Sequence, residues 1–229
     1  MAFLSLSLWN ADAQDRDSLA FAAAEYELRL YDCPPDETLG LLMAKAGCQQ
    51  EAGMWTDALE TFGRIPMFAM DGPTRTEVVT SMLSCLYMSG RYEEFMTTVD
   101  EAMLTGIFGD KLCADLESYL ASNPTKNRSE DVALLLSAVP GFGHFYAGKP
   151  VQGLGHLALN GAVIAAGIAS FCSGLYVCAF LGGGMVLART HTGNSASAVK
   201  AVAEYNSEVL RKRCEAVLSM VMLQDSELH

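Results

Sequence analysis

Four histidines, His144, His156, His191 and His229, are the side chains of this sequence best suited to acid–base or metal chemistry. None stands at a ligand spacing. A zinc site on one helix face uses a pattern such as H-E-x-x-H, with an acidic residue between paired histidines. Here no such pattern occurs. No Ser/His/Asp context or paired acidic motif supplies a nucleophile with its base. Seven cysteines are present, Cys33, Cys48, Cys85, Cys113, Cys172, Cys178 and Cys214, and none forms C-x-x-C. The odd count leaves no complete disulfide framework. Cys48 and Cys85 fall within helical apolar patterns, where a free thiol fills core space. The sequence therefore leads us to expect no enzyme, no cofactor and no bound metal.

One segment has the composition of a ligand loop: Pro140-Gly-Phe-Gly-His-Phe-Tyr-Ala-Gly-Lys149. A phosphate-binding loop needs another glycine spacing and a Ser or Thr after its lysine. Pro150 follows Lys149 instead. Turn chemistry explains the residues better. Pro140 stops a helix, while Gly141 and Gly143 permit a sharp re-entrant path. Phe145 and Tyr146 suit a membrane interface, and Gly148-Lys149 puts an amine within reach of phosphate head groups.

That reading follows from the charge pattern around the motif. Between Asp131 and Arg189 the one charged residue is Lys149, and the 39 residues from Pro150 to Ala188 carry none. A surface helix in water presents polar positions every turn. Hydrocarbon excludes charge, at roughly 2.5–3.5 kcal/mol per charged side chain on insertion scales. Val151–Phe171 would rise about 31 Å as a helix, against a hydrocarbon core of about 30 Å. Cys172-Ser173-Gly174 makes a turn, and Leu175–Ala188 is a shorter return stretch. Gly161, Ala165 and Ala169 recur every fourth residue, as do Ala179 and Gly183, the small-xxx-small spacing that lets membrane helices pack and that could join copies into a homo-oligomer. Asn160 and His156 are polar within the span and suit interhelical hydrogen bonds. Residues 132–190 are thus expected to form a membrane hairpin region, with residues 132–148 as a third candidate span.

The first half of the chain differs. Residues 1–130 hold 9 Lys/Arg and 21 Asp/Glu, a net of −12, whereas the last 99 residues balance. Such an acidic domain repels nucleic acid, whose binding rests on phosphate neutralisation. Basic or neutral protein partners fit it better. Apolar spacing from residue 14 to 123 is helical throughout. Two segments align at an offset of 37 residues, which places Gly53 on Gly90, Trp55 on Tyr92, Ala58 on Phe95 and Phe62 on Val99. The glycine allows a tight turn, the aromatic closes it, and Ala58 lets helices approach. Residues 24–34 read as the last helix of a preceding unit. Residues 124–131 are polar and contain Pro124, and form a linker. Residues 191–229 form an amphipathic C-terminal helix in which Arg211-Lys212-Arg213 is expected to face solvent or head groups. Residues 1–13 have the shape of a signal peptide, with Phe3–Trp9 apolar and Ala11-Asp12-Ala13 as an A-x-A site, though without a basic start.

The 37-residue pattern resembles the tetratricopeptide repeat, a helix–turn–helix unit. The Pro-Gly-x-Gly-x-x-Tyr-x-Gly-Lys stretch resembles small two-helix membrane modules of the TM2 type. Residues 20–210 together resemble bacterial envelope proteins, familiar in Bacteroidetes, that join tetratricopeptide-like helices to such a hairpin. In these the hairpin closes through a Gly-Asn turn into a helix ending near Tyr-Asn, matched here by Thr192-Gly-Asn194 and Tyr205-Asn206. The resemblance implies an all-α membrane protein without an established active site, linked with envelope assembly or membrane-protein insertion. The expected function is a membrane-anchored, non-enzymatic adaptor or scaffold whose helical-repeat face binds partner proteins. The alternative is a hairpin oligomer acting as a small pore or transporter. The expected location is the inner membrane with the helical domain periplasmic, although Lys149, Arg189 and Arg211–Arg213 would favour the cytoplasm by the positive-inside rule.

Overall fold

A computed structural model describes residues 13–35 and 37–225, and the signal-peptide expectation for residues 1–13 falls almost wholly outside them. The fold is all-α, with no strand among the described residues. Two units form. One takes Met1–Pro124 together with Arg211–His229, and the other takes Thr125–Leu210.

The first unit is a run of helices: α1 (Ala13–Arg29), α2 (Thr38–Glu51), α3 (Trp55–Gly63), α4 (Gly72–Met88), α5 (Tyr92–Leu104) and α6 (Asp110–Ser122). From α1 to α5 each helix packs on the next. The turns α2–α3 and α4–α5 have the same geometry. Gly53 and Gly90 sit at φ 76° and 77°, a left-handed conformation that glycine adopts without a Cβ clash. The residues after them, Met54 and Arg91, share φ −85° and ψ 61°. Their N–H groups reach back to Gln49 and Leu86 carbonyls at 2.8 and 3.0 Å. Ala58, Phe62, Phe95 and Val99 are buried and fill the space between the pairs. Glu27 on α1 accepts from Lys45 at 2.6 Å and Arg64 at 2.8 Å and so fastens α1 to α2 and α3.

The C-terminal helix departs from expectation. There is no separate element at residues 191–229. The chain is helical from Tyr176 to Asp225, as α10 (Tyr176–Cys178), a π-helical stretch (Ala179–Met185) and α11 (Val186–Asp225). Thr192-Gly193-Asn194 lies inside α11 and makes no turn, because buried contacts of Asn194 stabilise the helix against the local preference of Gly-Asn. The end of α11 is part of the first unit. Cys214, Val217 and Val221 are buried there, and Cys214 Sγ donates to the Tyr92 carbonyl at 3.6 Å. Burial raises the Cys214 thiol to about 11. Arg211 donates to Tyr87 Oη at 3.1 Å and to Glu215 at 3.1 Å, so this member of the basic cluster is held within protein.

The second unit holds α7 (Glu130–Leu136), α8 (Phe142–Tyr146), α9 (Pro150–Cys172), and the helical return through α10 and the π-helical stretch into the first part of α11. Ser129 caps α7 by accepting from the Val132 N–H. At 7 and 5 residues, α7 and α8 are too short to cross a bilayer, which removes residues 132–148 as a span. α9 is the one described helix long and apolar enough to cross.

The packing of Val217 gives a direct test of the shared core. Val217→Ala removes two buried methyl groups and is expected to cost about 1–3 kcal/mol. A unit of this size then loses roughly 3–10 °C in its thermal midpoint. Tryptophan fluorescence, which reports Trp9 and Trp55, follows it. An unchanged midpoint would place the end of α11 outside that core.

Candidate functional site

The re-entrant motif and the return helix meet at the base of the hairpin, and the contacts explain nearly every residue of the motif. Pro140 lies in the turn after α7, and Gly141 takes φ 90°. A Cβ on Gly141 would lie 2.2 Å from the Gly153 carbonyl oxygen on α9. A Cβ on Gly143 would lie 2.2 Å from Ser137 Oγ and 2.7 Å from Ala198 Cβ on α11. Glycine is required at both because two backbones touch there.

Around these contacts sits a buried polar cluster. Asn194 of α11 accepts from the Gly141 N–H at 3.3 Å and donates to the Ser137 carbonyl at 3.4 Å. It thereby satisfies the turn that α7 and α8 leave open. His144 is wholly buried, pairs through Nε2 with Ser197 Oγ at 3.0 Å, and stacks on His156 at 4.5 Å between ring centroids. Farther along α9, Asn160 donates to the His156 carbonyl and accepts from Thr190 Oγ1 at 2.8 Å. In a low-dielectric setting such bonds hold helices in register, since an unmade one is expensive.

A second cluster binds the linker to the same base. Asn206 accepts from the Arg128 N–H at 2.8 Å and donates to its carbonyl at 2.9 Å. The Arg128 guanidinium lies 3.7 Å from the Tyr205 ring centroid and 5.8 Å from that of Tyr146, a cation–π arrangement. Tyr146 Oη accepts from the Ser129 N–H at 3.0 Å. Gly148, at φ 78°, leaves room for Arg128, whose Nη1 would lie 2.8 Å from an added Cβ. Lys149 pairs with Glu204, which holds that carboxylate below its usual range. The lysine expected to reach head groups is thus engaged with α11.

One expectation about the site needs correction. On α9 the side turned toward the protein runs through Gly153, His156, Asn160, Val163, Gly167 and Ser170. Gly161, Ala165 and Ala169 face outward, and nothing lies within 4 Å of a Cβ built on Gly161. The close crossing uses Gly167 and Gly183, with a Cβ on either 3.0–3.3 Å from the other's Cα; Ala179 and Gly183 do lie on the packed side. In the first unit, Gly53, Trp55, Ala58, Phe62, Gly90 and Tyr92 take the turn and packing positions of the repeat pattern. Ala58 and Phe62 are buried, Trp55 and Tyr92 half-buried, and the Tyr92 ring packs 5.8 Å from Tyr87. Arg128, Glu204, Tyr205, Asn194 and Ser197 were missed as site residues, since their partners lie 53 to 78 positions away.

The chemistry available is limited. His144 and Ser197 stand at the distance of a base and its nucleophile, but His144 Nδ1 is buried without a partner, so no carboxylate orients the ring. Among the described residues no group of three His, Cys, Asp or Glu could hold a metal. No family model, no curated protein and no solved structure matches the chain.

Two predictions follow from the geometry. Gly143→Ala forces Ser137 or Ala198 to move and is expected to cost about 1–3 kcal/mol, read as a lower thermal midpoint by circular dichroism in detergent. Equal midpoints would show that α8 does not touch α11. His144, outside the spanning helix, is held neutral by burial, with the nearby His156 and Lys149 adding to the effect; its folded pKa lies below the ordinary 6.5. Above that value both folded and unfolded rings are neutral and the stability is complete. It is lost as the pH falls below about 6.5 toward the folded pKa. The midpoint is expected to drop between pH 7 and 5, and His144→Gln to flatten that drop.

Proposed function

We propose that the chain is a membrane-anchored, non-enzymatic adaptor, with an acidic helical unit held against a bilayer by the α9–α11 hairpin. The observation that carries this is the composition of the first unit. It takes chain from before the hairpin and chain from after it, which supports a hairpin whose two ends lie on one side of the bilayer. A two-span hairpin satisfies that condition and a three-span arrangement does not. The exposed surface of α9 supports the lipid contact: Val151 is 82% exposed, Ile168 60% and Phe171 61%, with no charge from Pro150 to Cys172.

The matched turns at Gly53 and Gly90 support a tetratricopeptide-like ancestry and a role in protein binding. The partner surface best supported is an open cleft of about 520 Å³ at the α1–α2 turn. Leu28 and Leu41 line it together with the acidic Glu25, Asp32 and Glu37, and Arg29 in the same lining pairs with Glu25 at 2.9 Å. Such a cleft fits an extended peptide carrying one apolar and one or more basic side chains. The pore alternative gains nothing from the hairpin, because Asn160 is bonded to Thr190 and His156 is stacked on His144.

Affinity capture from membranes tests the adaptor reading. Leu28→Asp keeps the anchor and core intact, since Leu28 is exposed. Recovery of co-purifying proteins is expected to fall about tenfold or more, as for loss of a central apolar contact. Undiminished recovery would count against the cleft as a partner site.

A further inference from the structure

The two legs of the hairpin have different apolar lengths. α9 carries no charge over 23 residues, about 34 Å of helix. Val139, Phe142 and Phe145 are exposed too, and the Phe145 ring lies beside the first turn of α9, 3.1 Å from a Cβ built on Gly153. The return leg is uncharged only from Tyr176 to Ala188, about 20 Å at an α-helical rise. Arg189 is exposed, and the outward positions after it include Thr192, Gly193 and Lys200. The Thr190–Asn160 hydrogen bond at 2.8 Å fixes the level of this polar band opposite the middle of α9.

The tip cannot retreat into hydrocarbon to absorb the difference. Ser173, Gly174 and Leu175 donate their N–H groups back to carbonyls of Ala169, Phe171 and Ser170, but an irregular turn facing lipid is not tolerated at membrane depth. Phe171 and Tyr176 pack edge to face at 5.2 Å across the turn, an aromatic pair suited to an interface. Tilting shortens the projected length of a leg and so makes a short leg worse. Thinning of the lipid accommodates the difference while the tip and Arg189 both stay at interfaces.

We infer that the hairpin thins the bilayer on one side, holding a local hydrocarbon thickness of about 20 Å along its return leg and a full thickness of about 30 Å along α9. The occupant of the apolar surface is lipid, and the thinned patch lies along the leg between the tip and Arg189. This rests on the membrane reading above.

The native thiols Cys172 and Cys178 flank the tip and are exposed, so they report its position. The full-length chain is reconstituted in vesicles of short-chain dimyristoleoyl or long-chain dierucoyl phosphatidylcholine, with the acidic unit outside. A membrane-impermeant maleimide is enclosed in the lumen, and labelled peptides are mapped by mass spectrometry. In the short-chain bilayer lumenal labelling of both cysteines is expected. In the long-chain bilayer it falls by about fivefold or more, because the mismatch grows with thickness. Arg189→Leu, which lengthens the apolar leg, restores it, while helicity by circular dichroism confirms that the variant folds. Labelling insensitive to chain length or to Arg189→Leu overturns the inference, and so does absence of lumenal labelling in every bilayer. Failure of the chain to associate with either vesicle overturns the membrane reading itself.

Discussion

α9 is long and apolar enough to cross a membrane, and the proposed arrangement depends on what covers its surface. Its outward positions carry Val151, Leu154, Leu157, Ile164, Ile168 and Phe171, and only Gly153 and Asn160 are buried. In water that surface would drive aggregation. In lipid it costs nothing, and the polar groups become the part to be hidden. The hairpin is arranged in that sense. Asn160 and Asn194 face inward and bond across helices, His144 is enclosed with Ser197, and aliphatic side chains face out.

The glycine motif belongs to the same logic. In a bilayer, helices would gain little from burying apolar surface against each other and would associate by close packing and hydrogen bonds. Gly141, Gly143 and Gly153 permit the close approach, and Asn194 satisfies the opened turn. Arg128, clasped by Asn206 and stacked on Tyr205, joins the linker to the same base. These residues all have structural partners within the fold.

Local signals were legible in the sequence and phase was not. Gly53 and Gly90 announce left-handed turns through residue type alone, and both turns form. The helical class follows from periodicity, and the all-α fold agrees. In a helix apolar all round, however, hydrophobicity does not mark the packed side. The four-residue row Gly161, Ala165, Ala169 was as plausible as the row through Gly153, Asn160 and Gly167, and the inward polar residues His156 and Asn160 were the better guide. Thr192-Gly193-Asn194 failed for a different reason. Turn propensity is a local preference of a kilocalorie or so per residue, and tertiary contacts to Ser137 and Gly141 outweigh it. The docking of Cys214 and Val217 in the first unit depends on contacts more than a hundred residues apart, which no local pattern encodes.

Lipid residence is tested most directly by flotation. Membranes of cells expressing the full-length chain are washed with alkaline carbonate and floated on a density gradient. The chain is expected to remain with the lipid and to leave it only in detergent. Release into the carbonate supernatant, with a monodisperse species in plain buffer, would mean that protein and not hydrocarbon surrounds α9.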